Sequence, residues 1–490
     1  MKHIFKYILF GILLTGIVSC NKDWLDVTAS NQIKAKDQFS QPSGYKDALM
    51  GVYIGMTQPT SYAKDMTWNL VDILSRQYNN LTAAALYYGA QEFAYKNTRT
   101  MAKVDALWKQ QYNTIANVNG ILDELNKNSG VLDKIDHSII KGELLGLRAF
   151  LHFDLLRLYG DFNYANRPEL AGKLTIPYVT TLSKDLSPQL SYQATFALMQ
   201  KDITDALVLL KEDPVYKEIA RPDDYFADAN RDGFYNLRTQ RMNYYAVKAL
   251  QARVYTWQGS AQDLQNAALA AEEVISKFTA KLRNPSIPVG NDRILSSEQI
   301  FSLNVTAFAN IIGNIFDGEK LVNADALVIL RAPAESLFET SNPNIGIPDI
   351  RFNSLLLLQT NGMTSQKYLY GPTSAYRNLM PLMKLPEMYY IAAEAYLNTN
   401  LAKSIEYLNK VRASRGILED ISSGADIVKV KEELKKEYRK EFISEGQLFF
   451  YYKRNGVTQI PGLSAQIIVD DRIYRLPYPD NEIEFGNRVQ

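Results

Sequence analysis

Two stretches of this sequence repeat one design, and that design limits the fold more than any other feature. Between Glu387 and Asn398 the sequence places Tyr389, Ala392, Ala393 and Tyr396 at three- and four-residue spacing, which aligns them on one face of a helix. After a break at Thr399-Asn400, a second stripe of Ala402, Ile405, Leu408 and Val411 runs through Leu401 to Arg415, and Gly416 supplies a C-cap. The same pair occurs earlier. Asn243 to Trp257 carries Ala246, Ala249, Leu250, Val254 and Trp257, Gly259 interrupts it, and Asp263 to Phe278 follows with Ala267, Ala268, Ala271 and Val274. Small alanines at the contact points let paired helices approach closely.

Alanine-rich, aromatic-tipped hairpins of roughly 34 residues resemble tetratricopeptide repeats. Glu143 to Tyr159 with Tyr192 to Leu210 makes a third pair across a long connection, and Tyr45 to Met56 with Lys103 to Asn126 a fourth. A regular solenoid stacks its repeats without such gaps, so the gaps are inserts that fold over one side and carry the specific function. The spacing predicts a mainly α fold whose helical core covers about 41–60, 103–215, 240–280 and 382–455. Long irregular inserts cover about 61–100, 216–240 and 281–380. Short alternating pieces such as Gln299 to Thr306 predict one or two small β-hairpins in the last insert.

The N-terminus has a different character. Lys2 and Lys6 precede an apolar run from Ile8 to Val18, too short to cross a hydrocarbon layer of ~30 Å as a helix but suited to the core of a secretion signal. The run ends in Ile17-Val18-Ser19-Cys20, which looks like the lipobox of bacterial lipoproteins, where the leader is cut before the cysteine and the thiol is acylated. Cys20 is the sole cysteine. The sequence therefore divides into a signal peptide (1–19), a lipidated polar tether (20–40) and one domain (41–490), with lipid as the membrane attachment.

Charge and residue usage narrow the function. The chain has 54 basic and 53 acidic side chains, so no electrostatic stripe for nucleic acid is implied. Its three histidines are His3, His137 and His152, and no thiol is left beyond the acylated one, which removes Cys/His chemistry. No carboxylate pair is singled out, and the chain is read as a binding protein rather than an enzyme.

Aromatics are the skewed class, with 31 Tyr against 4 Trp, and rings inside polar inserts make stacking platforms for sugars. The candidate ligand residues are Trp68, Tyr78, Tyr87 and Tyr88, with Asn79 and Asn80 as hydrogen-bond partners. Asp228, Asn230 and Asp232, followed by Gly233, resemble the start of a calcium loop. Its twelfth position is Thr239 rather than a bidentate Glu, and a turn held by Asx hydrogen bonds is the alternative.

Five landmarks in order resemble the SusD/RagB family of nutrient-binding lipoproteins. They are the lipobox followed by Asp23-Trp24-Leu25-Asp26; Arg148-Ala149-Phe150 running into Leu158-Tyr159-Gly160-Asp161; Ala249 to Tyr255; Leu385 to Ala395 with Val411-Arg412; and Glu437 to Arg454 followed by Leu476 to Ile483. Leu448 and Tyr451 stand where the family usually has Arg and Asp, and Lys384 and Pro386 where Arg and a small apolar residue are common. The resemblance implies a SusD-like protein, lipid-anchored and exposed at the outer-membrane surface. Such a protein captures an oligosaccharide and passes it to a SusC-like TonB-dependent transporter, with no cofactor. A peptide or glycopeptide ligand, or a tetratricopeptide scaffold for other proteins, are the alternatives.

Overall fold

The alanine stripes form helices where their spacing predicts. The computed structural model describes residues 35–128, 130–316, 324–463 and 467–490. The leader, Cys20 and the tether up to residue 34 lie outside the described residues.

The helices run as α1 (Pro42–Met56) and α2 (Thr98–Lys127), α3 (Lys134–Tyr159) and α4 (Tyr192–Leu209), then α5 (Tyr244–Gln258) and α6 (Ala261–Lys277). After the last insert come α7 (Leu385–Tyr396), α8 (Leu401–Ser414), α9 (Ile427–Glu441) and α10 (Gln447–Arg454). Each of α1 to α8 packs on the next, so the hairpins stack into one array despite their interruptions.

Local chemistry sets the hairpin boundaries. The Asn243 side chain accepts the Ala246 N–H at 2.9 Å and starts α5. Gly259 ends it at φ +74°, where a Cβ would also meet the Ala165 Cβ at 2.4 Å. Ser260 and Asp263 then form a capping box that starts α6 at once. Ala246, Ala249, Ala267 and Ala271 are fully buried in the seam between the two helices. In α7 the fully buried ring is Tyr390, one position beyond the expected stripe, because α9 covers that side as well. Pro386 lies in the first turn of α7, where a missing N–H costs nothing.

Aromatic rings fill the seams between pairs. Trp108 on α2 meets Tyr159 at the end of α3 at 4.8 Å between centroids and Tyr478 near the C-terminus at 5.2 Å. Such pairs add about 0.5–1.5 kcal/mol each beyond the apolar area they bury. His152 on α3 stacks on Tyr178 at 3.9 Å. Burial pushes its imidazole down to about 3, so it is neutral and accepts the Val179 N–H at 2.9 Å.

Two strand pairs punctuate the last insert. β2 (Leu356–Gln359) and β3 (Gly362–Ser365) form a tight antiparallel hairpin, as expected for this region. The alternating piece at Gln299 does not close on a local partner. β1 (Gln299–Asn304) instead pairs antiparallel with β4 (Leu379–Lys384), which leads directly into α7. Alternation marks a strand but does not say how far away its partner lies. One connected hydrophobic core runs from Phe39 to Tyr478 and includes residues of repeats and inserts alike.

Candidate functional site

The charged residues of the helix motifs are ties between elements. Arg148 on α3 grips Asp202 on α4 through two bonds of 2.7 Å and 2.6 Å, and the Tyr178 hydroxyl donates to the same carboxylate at 2.6 Å. Arg253 on α5 forms the matching fork with Glu387 on α7, 2.5 Å at each oxygen. On α9, Glu437 and Glu441 receive Arg351 of the last insert at 2.8 Å and 3.2 Å. Arg415 then bridges Glu441 to Glu298 at 2.8 Å and 2.7 Å. All of these side chains are buried, so each pair holds its elements in one register, and losing one partner would strand a charge. The gap among Arg157, Arg253 and Glu387 is about 30 Å³, room for water and not for a ligand.

The departures from the family pattern are accommodated by packing. Leu448 is fully buried, and Tyr451 stacks on Tyr438 at 4.1 Å. Phe450 lies under the Arg157 guanidinium at 3.8 Å. Lys384 keeps the role of a cation, reaching Glu441 at 3.1 Å and Glu445 at 2.8 Å.

A cavity of about 720 Å³ opens where the second and third inserts meet the end of α1. Its floor is set by a buried charge cluster. Arg238 forks onto Asp213 at 2.5 Å and 3.1 Å and also donates to Glu143 on α3. Arg241 donates to Glu143 at 3.0 Å and to the Phe234 carbonyl at 2.9 Å. The Tyr53 hydroxyl gives its proton to Glu143 at 2.6 Å and accepts the Met242 N–H at 2.9 Å. Burial alone would raise the Glu143 carboxyl, but the Arg238 and Arg241 guanidiniums outweigh it and hold it below the usual range. Two guanidiniums therefore face two carboxylates, and the floor offers the cavity no uncompensated charge.

The walls combine apolar faces with neutral polar groups. Met50 and Ile54 on α1 and Leu237 on the second insert are 40%, 60% and 61% exposed. The Phe234 ring is held by the Arg241 guanidinium at 4.0 Å. Gln58, Gln240, Asn304 and Thr306 supply amides and hydroxyls at the rim. Apolar patches flanked by neutral hydrogen-bonding groups suit the C–H faces and hydroxyls of an uncharged, polyhydroxylated ligand.

The residues singled out in the first insert separate into two groups. Trp68, Tyr78 and Tyr87 are internal, which corrects their expected role as a stacking platform. Trp68 is fully buried and its indole N–H donates to the Ala63 carbonyl at 2.8 Å. Tyr78 donates to Asp72 at 2.5 Å and Tyr87 to Asp65 at 2.7 Å. In each case a carboxylate in the same insert captures the hydroxyl and draws the ring inside. Asn79, Asn80 and Tyr88 are at the surface, with Asn80 accepting from Arg76 at 3.1 Å and the Asn79 N–H bound to the Val328 carbonyl at 2.7 Å.

The Asp228 loop follows the Asx-turn alternative. Asp228 pairs with Arg231 at 2.8 Å, Asn230 accepts the Tyr235 N–H at 2.7 Å, and Asp232 accepts the Phe234 N–H at 3.0 Å while pairing with Lys46 at 3.1 Å. Among the described residues no group of three or more His, Cys, Asp or Glu is placed to hold a metal ion. The cavity residues Met50, Ile54, Phe234, Leu237 and Gln240 were not among those expected. The available signal was α1 itself, which is apolar at Met50 and Ile54 on the face turned away from its helix partners.

A stacked array of helical hairpins, capped by inserts that enclose a neutral cavity, defines a helical-repeat binding protein. The sequence matches two family models: over residues 23–229 the SusD-like family described as starch-binding associating with outer membrane, and over residues 357–484 the SusD family. The chain belongs to the SusD/RagB family. No curated protein matches it. Among solved structures it is similar to a SusD superfamily protein from Bacteroides thetaiotaomicron, at 20% identity and TM-score 0.70, covering 92% of this chain and 99% of that one. A SusD-like carbohydrate binding protein from Bacteroides vulgatus matches at 18% identity and TM-score 0.69, covering 91% and 97%. Surface glycan-binding protein A from Bacteroides thetaiotaomicron matches at 16% identity and TM-score 0.65, covering 92% and 99%. At these identities the likeness is one of fold.

Proposed function

We propose that this chain is a nutrient-binding lipoprotein of the outer-membrane surface that captures a neutral oligosaccharide and hands it to a SusC-like TonB-dependent transporter. The observation that carries this reading is the cavity of about 720 Å³ lined by exposed aliphatic groups, one aromatic face and neutral amides, over a charge-balanced floor. Membership of a family described as starch-binding and outer-membrane-associated supports it, as do two structural relatives named as carbohydrate- and glycan-binding proteins. Noncovalent capture is the whole of the activity, and acylation at Cys20 supplies the tether.

Calorimetric titration of the mature protein with neutral oligosaccharides and with peptides of equal length tests the ligand class. Saturable binding of a neutral glycan that weakens in the Leu237→Ala variant is expected. Binding of peptides alone would replace the glycan by the peptide reading, and no binding of either kind would favour the scaffold. Cys20→Ser should move the protein from the membrane fraction to the soluble fraction. Retention in the membrane would remove the lipid anchor.

A further inference from the structure

A second cavity, of about 350 Å³, lies between the 283–293 segment and the short helix Ile350–Asn353, and shares no lining residue with the first. Two arginines, Arg283 and Arg293, line it, and no acidic residue does. The nearby carboxylates already have partners, and one of them, Glu298, accepts the Arg283 backbone N–H at 2.9 Å. Asp292 accepts the Ser296 N–H at 2.9 Å and its hydroxyl at 2.8 Å, and Glu298 forks onto Arg415 at 2.7 Å at both oxygens.

The guanidiniums themselves contact only carbonyls. Arg283 donates to the Ile287 carbonyl, and Arg293 donates to the Leu369 carbonyl at 2.5 Å. Among the described residues neither makes an ion pair, and Nη1 of Arg283 is buried without a hydrogen-bond partner. Burial pushes Arg283 below its ordinary value and the cation Arg415 behind it pushes the same way, against the weaker opposing pull of Glu298 and Asp292. Buried polar groups ordinarily find a hydrogen-bond partner, and a guanidinium fork matches an anion in geometry.

We propose that this cavity binds a carboxylate carried on a body the size of one sugar ring, with Arg283 and Arg293 as the anion contacts. The planar guanidinium fork matches a carboxylate in geometry. The Ser354 hydroxyl, which donates to the Asn353 amide oxygen at 2.5 Å, can accept from a ring hydroxyl, and Ile287, Pro288 and Ile350 cover the rest of the body. An inorganic phosphate or sulfate would leave those apolar walls unused. A hexuronic acid has the required combination. The chain then has two binding modes, a neutral cavity on the second insert and an acid-selective one on the third.

Titration of the mature protein with galacturonate, galactose, sulfate and phosphate tests this. Galacturonate is expected to saturate one site at concentrations up to about 10 mM and to bind at least about tenfold more tightly than galactose. Arg293→Gln and Arg283→Gln are each expected to weaken it about tenfold, and raising the salt concentration should weaken it further. Each variant is checked by its melting temperature, and Ser354→Ala gives a third reading that leaves both arginine–carbonyl contacts in place. Absence of saturable galacturonate binding, equal affinity in the folded arginine variants, or tighter binding of sulfate or phosphate than of galacturonate would each overturn the proposal. None of these results touches the neutral cavity, whose readout is Leu237→Ala.

Discussion

The Asp72 carboxylate accepts the backbone N–H of Ser444 at 2.9 Å, joining residues 372 positions apart. The Tyr78 hydroxyl donates to that same oxygen at 2.5 Å, and the other oxygen accepts the Gly446 N–H at 3.2 Å. The receiving turn is tightly specified. Ser444 and Gly446 both have positive φ, and a Cβ on Gly446 would meet the Thr67 carbonyl oxygen at 2.5 Å. The first insert is thus fastened to the turn before α10 by one buried side chain. Asp72→Ala leaves two backbone donors buried without an acceptor, at about 1–3 kcal/mol each, and leaves the Tyr78 phenol only the Ser444 hydroxyl at 3.1 Å. A loss of at least about 3 kcal/mol in urea unfolding is expected. A loss below about 1 kcal/mol would show that water replaces the carboxylate.

Trp68 and Tyr88 should behave in opposite ways. Trp68→Ala empties a fully buried site and is expected to cost about 3–5 kcal/mol of stability. Tyr88 is 37% exposed, and its replacement by alanine should stay within about 0.5 kcal/mol. Comparing the two melting curves checks the assignment of these rings to core and surface.

The neutral cavity predicts a separation of binding from folding. Ile54→Ala and Leu237→Ala remove apolar groups that are 60% and 61% exposed, so the melting temperature should hardly move. Removing that contact surface from a bound glycan should lower affinity several-fold, about 1 kcal/mol per site. Unchanged affinity in the double variant would place the glycan elsewhere.

Glu437 sets an acid limit. Burial alone would raise its carboxyl, but Arg351, Lys440 and Arg412 bring it down to about 2, from an ordinary value of 4.5. A depressed carboxyl contributes stability that is complete above the unfolded value, fades as pH falls through the interval from 4.5 to about 2, and is gone below it. Glu437→Gln should therefore be less stable than the natural protein by about 3 kcal/mol at pH 7. That difference should close as the pH approaches 2. Urea midpoints of the two proteins across this range give the test, and a difference that stays constant with pH would contradict it.

Calcium should leave the protein unchanged. The Lys46 ammonium already occupies Asp232 at 3.1 Å, backbone N–H groups bind Asp232 and Asn230, and the Arg231 guanidinium binds Asp228. A melting temperature unmoved by about 1 mM calcium is expected, whereas a clear rise would mean that the ion displaces Lys46.

The repeat scaffold was legible because its signals are local. The Gly259 break, the Ser260 cap and the alanine stripes of α5 and α6 lie within a few turns of one another, and each acts on its own helix. The motif arginines were legible as landmarks, and the structure gives them their physical meaning as interhelical pairs. The ligand site was not legible for the converse reason. Whether a tyrosine is a platform or a core residue depends on which carboxylate takes its hydroxyl, as Asp65 does for Tyr87 and Asp72 does for Tyr78. The partner of β1 likewise lies beyond the reach of any local pattern.

Because β1 pairs with β4, the chain leaves the helical array at Asn304 and returns to it at Leu379, its pairing partner. Among the described residues between these two points, Arg351 ties back to Glu437 and Glu441 on α9, and Lys367 ties to Glu445. Lengthening a loop of this segment costs only about 0.6 kcal/mol for each doubling, so its loops can grow while those buried ties stay in place. The excursion can thus vary along its loops while the strand pair clamps its two ends and the buried ions anchor its middle.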